Sequence, residues 1–488
     1  MRKTYLQNII FLVAINLIIK PFWILGIDRN VQNTVGHEVY GLYQAIFNLT
    51  IIFQIVLDFG LQQYNSKTVA QSPETMSTLF PNILAVKGIF ALIYIVVTIT
   101  MGQILGYQSQ GFILLCILVA VQIALSFLLF FRSNISGLQW FKTDSIFSIF
   151  DRMIAIPVMA ILLFSAYFLK KFQIEWYAWV QLFAYSLSAI IAFLVCIRLQ
   201  KVFWHHLKIK RILVIIKQSL PFALLVFLMY CYARIDTILL EKISLNADIA
   251  GKYAAAFRLL DVANNMSGVL VAGLLLPLFG KMIKTGEDFG SIAELTSKFL
   301  IPFSITLGII TSLWGFDILK LLYNNIEEKD ADILLWLMWC LPFYSFNFIY
   351  ATLLTANGNI KILIYISLIG LIVNLGLNFS TLKPTNELNA VFAARNAFIT
   401  MIIITIGNFL ASKKLLNVHL TSKIIIKLIL FFALLFVTAF VIREFLPMLN
   451  IWFAVSMVII IAMLLFIIIG IIKWKEIMIN YKKLLKID

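Results

Sequence analysis

The sequence has little charge for its length. Of its 488 residues only 13% are charged and 62% are hydrophobic, whereas a soluble domain is about 25% charged. The charged residues lie in short runs between apolar stretches of roughly twenty residues, the length of helix that spans a bilayer. Water is therefore excluded as the main solvent, and the sequence predicts one membrane domain.

Cysteine and histidine are also scarce. The four cysteines lie inside apolar stretches without C-x-x-C spacing, and we expect them to be packing residues rather than a disulfide framework or a zinc site. They are Cys116, Cys196, Cys231 and Cys340. The four histidines lie in predicted loops and form no H-E-x-x-H motif. No metal site is therefore predicted.

Motifs for nucleotide and sugar-transfer chemistry are missing as well. No G-x-x-x-x-G-K-[ST] sequence occurs, which excludes nucleotide hydrolysis by that route. Asp330-Ala331-Asp332 has D-x-D spacing but falls in an acidic outer loop, where a solvated loop explains it better. Asp28 and Glu38 fall in a short first outer loop, and no predicted outer loop is long enough for a catalytic domain. We predict no cofactor and no enzymatic activity.

The sequence does have a succession of apolar windows, which predict an all-α polytopic membrane protein of about fourteen helices. An even number of helices places both termini on one side, and Lys and Arg are concentrated on that side. Both termini are therefore predicted to be cytoplasmic. The windows lie near residues 8–27, 40–63, 78–101, 111–131, 145–169, 176–197, 218–240, 250–277, 292–314, 333–356, 360–380, 388–411, 424–442 and 450–472.

The formal net charge of +16 raises the question of a nucleic-acid partner. The basic residues, however, form no dense arm and no aromatic-interleaved motif. They flank the apolar windows instead, which is the distribution that sets membrane topology. No nucleic-acid partner is predicted.

An internal match predicts a repeat. Residues 38–49 align without a gap to residues 248–259, and each stretch opens a predicted helix, the second and the eighth. A repeat unit of six helices preserves orientation and predicts parallel halves. The predicted domains are a six-helix bundle over 1–200, a basic cytoplasmic linker over 201–217, a second bundle over 218–411, and two further helices with a basic tail over 412–488. The alternative is that small and aromatic residues recur at membrane interfaces.

Ten of the charged residues inside the predicted helices are candidates for a buried role. They are Lys20, Lys87, Arg152, Arg234, Arg258 and Arg395, with Asp58, Asp151, Asp236 and Asp261. Each would cost about 2.5 to 3.5 kcal/mol if it faced lipid. They must therefore face one another or a wet cavity, and the excess of basic residues favours a cavity.

Spacing separates these charges into groups. Arg258 and Asp261 are three residues apart and share a helical face, so they could neutralise each other. Lys20 precedes Pro21, which can kink a helix. For Lys20, Lys87 and Arg395 the alternative is snorkelling to the membrane surface, and for Arg152 and Arg234 it is pairing with the neighbouring aspartates.

Several stretches resemble a known family. They are residues 36–43, the run Leu57-Asp58-Phe59-Gly60-Leu61-Gln62-Gln63-Tyr64, Val69-Ala70, and Gly251-Lys252-Tyr253. Together with the helix count and the parallel halves, they resemble the polysaccharide-repeat flippases of O-antigen and capsule assembly. These form the polysaccharide transporter family of the multidrug/oligosaccharidyl-lipid/polysaccharide flippase superfamily.

The resemblance implies two six-helix bundles related by a pseudo-two-fold axis, a V-shaped cavity between them, and two extra C-terminal helices. It implies alternating access that moves polyprenyl-diphosphate-linked oligosaccharides from the inner to the outer leaflet of the bacterial cytoplasmic membrane, for O-antigen, lipopolysaccharide or capsule synthesis. Membrane lipid, a polysaccharide polymerase and chain-length machinery are the implied partners.

A cationic group in a low-dielectric cavity attracts a diphosphate far more strongly than it does in water. Lys20, Lys87, Arg258 and Arg395 are therefore the candidate headgroup-binding residues, and Arg152 and Arg234 are weaker candidates. Asp58, Asp236 and Asp261 are candidate ion-coupling residues of an antiporter.

Three other functions stay open. A peptidoglycan lipid-precursor flippase of the same superfamily would share the fourteen helices. A cation-coupled drug exporter is expected to have twelve helices and an acidic cavity, which the basic balance disfavours. A membrane glycosyltransferase or polymerase is disfavoured by the short outer loops.

Overall fold

The computed structural model describes residues 18–138, 140–199, 209–244, 246, 248–418, 421–446 and 450–471. This part of the chain is built from helices and short connections, without a β-strand. Twelve of its helices are long and apolar enough to cross a membrane. The all-α prediction is confirmed, and the chain is a multi-pass membrane protein.

The helices follow one another with short connections, and two of the short elements are not α-helical. Trp23–Asp28 is π-helical and Pro73–Thr75 is a 3₁₀ turn. The α-helices are α1 Arg29–Val35, α2 His37–Phe53, α3 Ile55–Asp58, α4 Leu61–Gln71, α5 Met76–Ile104, α6 Ser109–Gly137, α7 Phe141–Phe164, α8 Ala166–Leu169, α9 Ile174–Leu199, α10 Ile209–Ile243, α11 Asp248–Thr285, α12 Phe289–Leu322, α13 Asp330–Ala356, α14 Ile360–Thr381, α15 Asn389–Leu416, α16 Ser422–Phe445 and α17 Ile451–Ile468.

The predicted helices from the third onward coincide with long observed helices, which extend a few residues further at most ends. The predicted first helix begins before residue 18 and lies largely outside the described residues. The predicted eighth helix coincides with α11 but is not among the twelve candidate spans. The predicted linker over 201–217 is described only from residue 209, where it already forms the start of α10.

The chain divides into two compact units. Unit 1 comprises Met1–Ala255 and Leu382–Asn389, and unit 2 comprises Ala256–Thr381 and Ala390–Asp488. Unit 1 therefore includes α10 and the first turns of α11, which the sequence assigned to the second bundle. The division into two six-helix halves stays a prediction.

The second predicted span is interrupted, which the apolar pattern did not predict. It consists of α2, the very short α3 and the polar α4, and the break between α3 and α4 lies at Phe59 and Gly60, both left-handed at φ 42° and φ 75°. Glycine adopts this conformation freely, whereas a residue with a Cβ is penalised by about 1 to 2 kcal/mol. The break frees backbone carbonyls at the end of α3, and other groups must satisfy them.

Unit 2 is held together by an apolar core. In one cluster, Ile309 and Trp314 of α12 pack with Leu435 of α16 and Val458 of α17. The hydroxyls of Ser304 and Ser345 lie 2.7 Å apart between α12 and α13. The two C-terminal helices of the prediction, α16 and α17, thus pack on α12.

Candidate functional site

A π-helical turn in unit 1 positions the first aromatic residues of the site. Residues 18–22 are helical, and the π-helix begins at Trp23, two residues after Pro21, whose missing N–H removes an i→i−4 hydrogen bond. Because a π-helix pairs i with i+5, Trp23 and Asp28 share one face. Tyr177 of α9 contacts both, since its ring stacks on Trp23 at 5.8 Å and its hydroxyl donates to Asp28 Oδ1 at 2.8 Å.

Asp28 was expected in a first outer loop, and that expectation is wrong. The side chain is 1% exposed and belongs to the π-helix. The chain stays helical to Val35, so the connection to α2 is reduced to Gly36, at φ 84° and ψ 165°. This region of backbone conformation is open essentially to glycine alone.

Arg152 of α7 is held by three neighbours. Its Nε lies 3.2 Å from Asp151 Oδ2, and Nη2 donates to the hydroxyl of Tyr185 at 2.8 Å. Its guanidinium carbon lies 4.3 Å from the ring centroid of Trp23, within cation–π range. The charge of Arg152 is paired with Asp151, and the contacts with Tyr185 and Trp23 fix the plane of its guanidinium group.

Lys20 belongs to a group of charged residues in which the cations outnumber the carboxylates by one. We call Lys20, Arg132, Asp144, Asp151 and Arg152 the Lys20 cluster. Arg132 Nε donates to Asp144 Oδ1 at 2.8 Å, and the charges of Arg152, Arg132 and Asp151 all act on Lys20. Lys20 itself is half-buried and forms no salt bridge within the described part of the chain. Each arginine of the cluster has its own carboxylate partner, and Lys20 adds a third positive charge.

Lys87 is anchored at the break of the second span. Its Nζ donates to the carbonyl of Leu57 at 3.0 Å, to Ser126 Oγ at 2.8 Å and to Asp58 Oδ1 at 3.3 Å. The residue is 2% exposed, so it does not snorkel to the membrane surface. The cation lies at the carbonyl end of α3, where it is favourable for the helix dipole. This geometry favours an anchoring role over headgroup binding.

Arg258 and Asp261 form the pair that their spacing indicates. Arg258 Nη1 lies 3.5 Å from Asp261 Oδ2, and the amide of Asn265 donates to the backbone carbonyl of Asp261 at 2.7 Å. Both charged side chains are largely buried. The arginine charge is therefore already compensated within α11.

The other candidates differ in their environments. Asp236 is 1% exposed and accepts a hydrogen bond from the hydroxyl of Tyr253 at 3.2 Å, and Arg234 is half-buried on the same helix. Arg395 of unit 2 lies over the ring of Phe392, with 5.0 Å from the guanidinium carbon to the ring centroid. The buried Arg395 Nε has no hydrogen-bond partner, and the side chain makes no salt bridge to the residues described.

A close contact in unit 1 joins the first helices to α11. The side-chain nitrogen of Gln32 donates to the carbonyl of Gly251 at 2.9 Å and lies 2.8 Å from Nδ1 of His37. A Cβ at Gly251 would lie 1.9 Å from the carbonyl oxygen of His37, so only glycine fits. We call Gln32, His37 and Gly251 the Gly251 junction.

Another polar contact joins the end of α10 to the connection between α5 and α6. The hydroxyl of Tyr107 donates to Glu241 Oε2 at 3.1 Å, and Lys242 Nζ lies 3.7 Å from the ring centroid of Tyr107. Burial and the carboxylate of Glu241 raise the pKa of Tyr107, which keeps its hydroxyl as the donor. Asn389 also donates to Ser244 at 2.9 Å.

The sequence singled out charges and missed their uncharged partners. Trp23, Tyr177 and Tyr185 hold Asp28 and Arg152, but isolated aromatic residues in apolar windows carry no signal of this role. In the Gly251 junction, Gly251 did carry a sequence signal, because it aligns with Gly41 in the internal repeat. Gln32 had none.

Comparison with known families identifies two matching regions. The family described as polysaccharide biosynthesis protein matches residues 5–283, and the MatE family matches residues 284–380. A search of curated protein sequences gives no match.

Solved structures share the fold at low sequence identity. The lipid II flippase MurJ, in an inward closed conformation, superposes with a TM-score of 0.70 at 15% identity, over 97% of this chain and 100% of that one. An inward-facing multidrug resistance MATE family transporter superposes with a TM-score of 0.58 at 13% identity, over 81% of this chain and 95% of that one. A MOP superfamily transporter from Pyrococcus furiosus superposes with a TM-score of 0.55 at 13% identity, over 83% of this chain and 93% of that one.

Proposed function

The chain belongs to the polysaccharide biosynthesis protein family of the multidrug/oligosaccharidyl-lipid/polysaccharide flippase superfamily, and we propose that it flips polyprenyl-diphosphate-linked oligosaccharides across a bacterial cytoplasmic membrane. The family match covers more than half of the chain. The proposed direction is from the inner to the outer leaflet, for surface polysaccharide assembly, with both termini cytoplasmic. Transport by alternating access, without covalent catalysis, is part of the proposal.

The Lys20 cluster carries the proposal. Arg132 and Arg152 are paired with Asp144 and Asp151, and Lys20 adds a cation without a carboxylate partner among the described residues. An unpaired charge within a membrane protein is costly and marks a functional position. The uncompensated charge is positive, so it favours an anionic ligand.

A diphosphate fits this charge. It carries two or more negative charges, and attraction between opposite charges is several times stronger near protein than in bulk water. The paired arginines keep the region positive without adding unpaired charges of their own. Lys20 is therefore proposed as the residue of unit 1 that binds the headgroup, and Arg395 is the corresponding candidate in unit 2.

Flipping in liposomes tests this role. We expect Lys20→Met to slow the leaflet exchange of a fluorescent polyprenyl-diphosphate oligosaccharide by about ten- to hundredfold, which corresponds to the 1.5 to 3 kcal/mol of a charged hydrogen bond. Lys361→Met, which removes an exposed lysine at the start of α14, is the control and should flip at the wild-type rate. An undiminished rate in Lys20→Met would contradict the headgroup site.

A second candidate substrate is the peptidoglycan lipid precursor. The similarity in fold to a lipid II flippase extends over almost the whole chain, and that precursor is also a lipid-linked diphosphate. Parallel assays with the two lipids distinguish the candidates. Exchange of the peptidoglycan precursor alone would support the second, and exchange of neither would refute both.

A further inference from the structure

The Gly251 junction contains a buried histidine to which the headgroup site gives no role. Gln32 is 1% exposed and His37 is 6% exposed, so water cannot readily replace a hydrogen bond lost between them. The junction joins α1 and α2 to the first turn of α11 within unit 1. Its hydrogen-bond pattern determines the role of Nδ1 of the histidine in the contact with Gln32.

The carbonyl of Gly251 fixes the orientation of the Gln32 amide. A backbone carbonyl only accepts, so the amide atom 2.9 Å from it must be the nitrogen. The same nitrogen lies 2.8 Å from Nδ1 of His37. Because an amide nitrogen only donates, Nδ1 of His37 is the acceptor in this contact.

We propose that His37 is a proton-binding site and that a proton at Nδ1 releases α11 from α2. Protonation turns Nδ1 into a donor that faces the donor nitrogen of Gln32. Rotation of the Gln32 amide would present Oε1 to His37 but would also place it against the carbonyl of Gly251, where two acceptors repel. In the rotated state the hydrogen bond between Gln32 and Gly251 is therefore lost.

Charged groups on the helices packed around His37 are themselves mostly paired. Lys242 lies 3.1 Å from Glu241, and Lys252 lies 3.5 Å from Asp248. The charged groups are Arg29 on α1, Glu38 on α2, Glu175 on α9, Glu241 and Lys242 on α10, and Asp248 and Lys252 on α11.

The release can couple proton binding to a conformational change. That use as a coupling step rests on the proposed function, but the release itself does not. Spin labels on Thr34→Cys in α1 and Asn246→Cys before α11, both exposed positions, report the distance across the junction in a variant without the four native cysteines. The measurement is made in detergent micelles without any lipid-linked substrate.

We expect the distance distribution to gain a longer component as the pH is lowered from 8 to 5. His37→Asn keeps an acceptor oxygen near the position of Nδ1 but cannot take up a proton, so its distribution should stay short at both pH values. Replacing His205, His206 and His419 by Asn is the control and should leave the response intact.

Two results would overturn the proposal. One is a wild-type distribution that does not change with pH, and the other is a His37→Asn variant that still shows the wild-type shift. Neither result bears on flipping by the Lys20 cluster. Failure of the lipid-exchange assay would likewise leave this measurement unaffected.

Discussion

Gly251→Ala is expected to separate α11 from α2 at every pH. The new Cβ would lie 1.9 Å from the carbonyl oxygen of His37 and 2.4 Å from its carbonyl carbon. Both atoms belong to the backbone, so no side-chain rotation relieves the overlap. Overpacking of this kind typically destabilises a protein by about 1 to 3 kcal/mol, and the upper end is expected here.

The measurement is the spin-label distance between positions 34 and 246 at pH 8, combined with the midpoint of thermal unfolding in detergent. Gly280→Ala is a matched control in the same helix, because a Cβ at Gly280 meets nothing within 4 Å. That variant should be as stable as the wild type, or slightly more stable, since alanine is the better helix former. A wild-type distance in Gly251→Ala would show that the backbones are not in contact.

Lys87→Met is expected to destabilise the protein without a direct effect on substrate binding. Removal of the ammonium group leaves the carbonyl of Leu57 and the carboxylate of Asp58 without the donor that now serves both. Loss of one partner from a buried ion pair typically costs about 3 to 5 kcal/mol. Asp58 is partly exposed, at 24% of its side chain, so the lower end of this range applies.

Thermal unfolding in detergent measures the effect, and a second substitution tests its cause. Adding Asp58→Asn to Lys87→Met removes the orphaned charge and should recover part of the lost stability. Lys20→Met should unfold at the wild-type temperature, because Lys20 makes no salt bridge with any described residue. If Lys87→Met were as stable as the wild type but failed to flip, a direct role in headgroup binding would be favoured instead.

The sequence predicted the helices well because the physical signal is strong. Every backbone polar group in a bilayer must be satisfied internally, so apolar windows of spanning length are helices almost without exception. The break at Phe59 and Gly60 escaped this argument, since apolar and polar residues continue through it. Only Gly60 indicated it, and a single glycine is weak evidence of a break.

The site was predicted less completely. Buried charges could be identified by residue type, and the spacing of Arg258 and Asp261 correctly indicated a pair. Which cations remain uncompensated depends on contacts between helices far apart in sequence, such as Lys87 with Leu57 and Ser126. Helical periodicity gives the face of a residue on its own helix but not its neighbour across the interface.

The bond between Lys87 and Asp58 also bears on how the protein enters its membrane. The two charges belong to consecutive candidate spans, His37–Asp58 and Pro73–Ile104. Inserted alone, the second span would expose Lys87, which lies near its middle, to lipid at about 2.5 to 3.5 kcal/mol, and Asp58 ends the first span. Inserted together as a hairpin, they carry the two charges into the bilayer already neutralised. The pair therefore favours release of these spans from the insertion machinery as one unit, after the residues up to Ile104 have been synthesised.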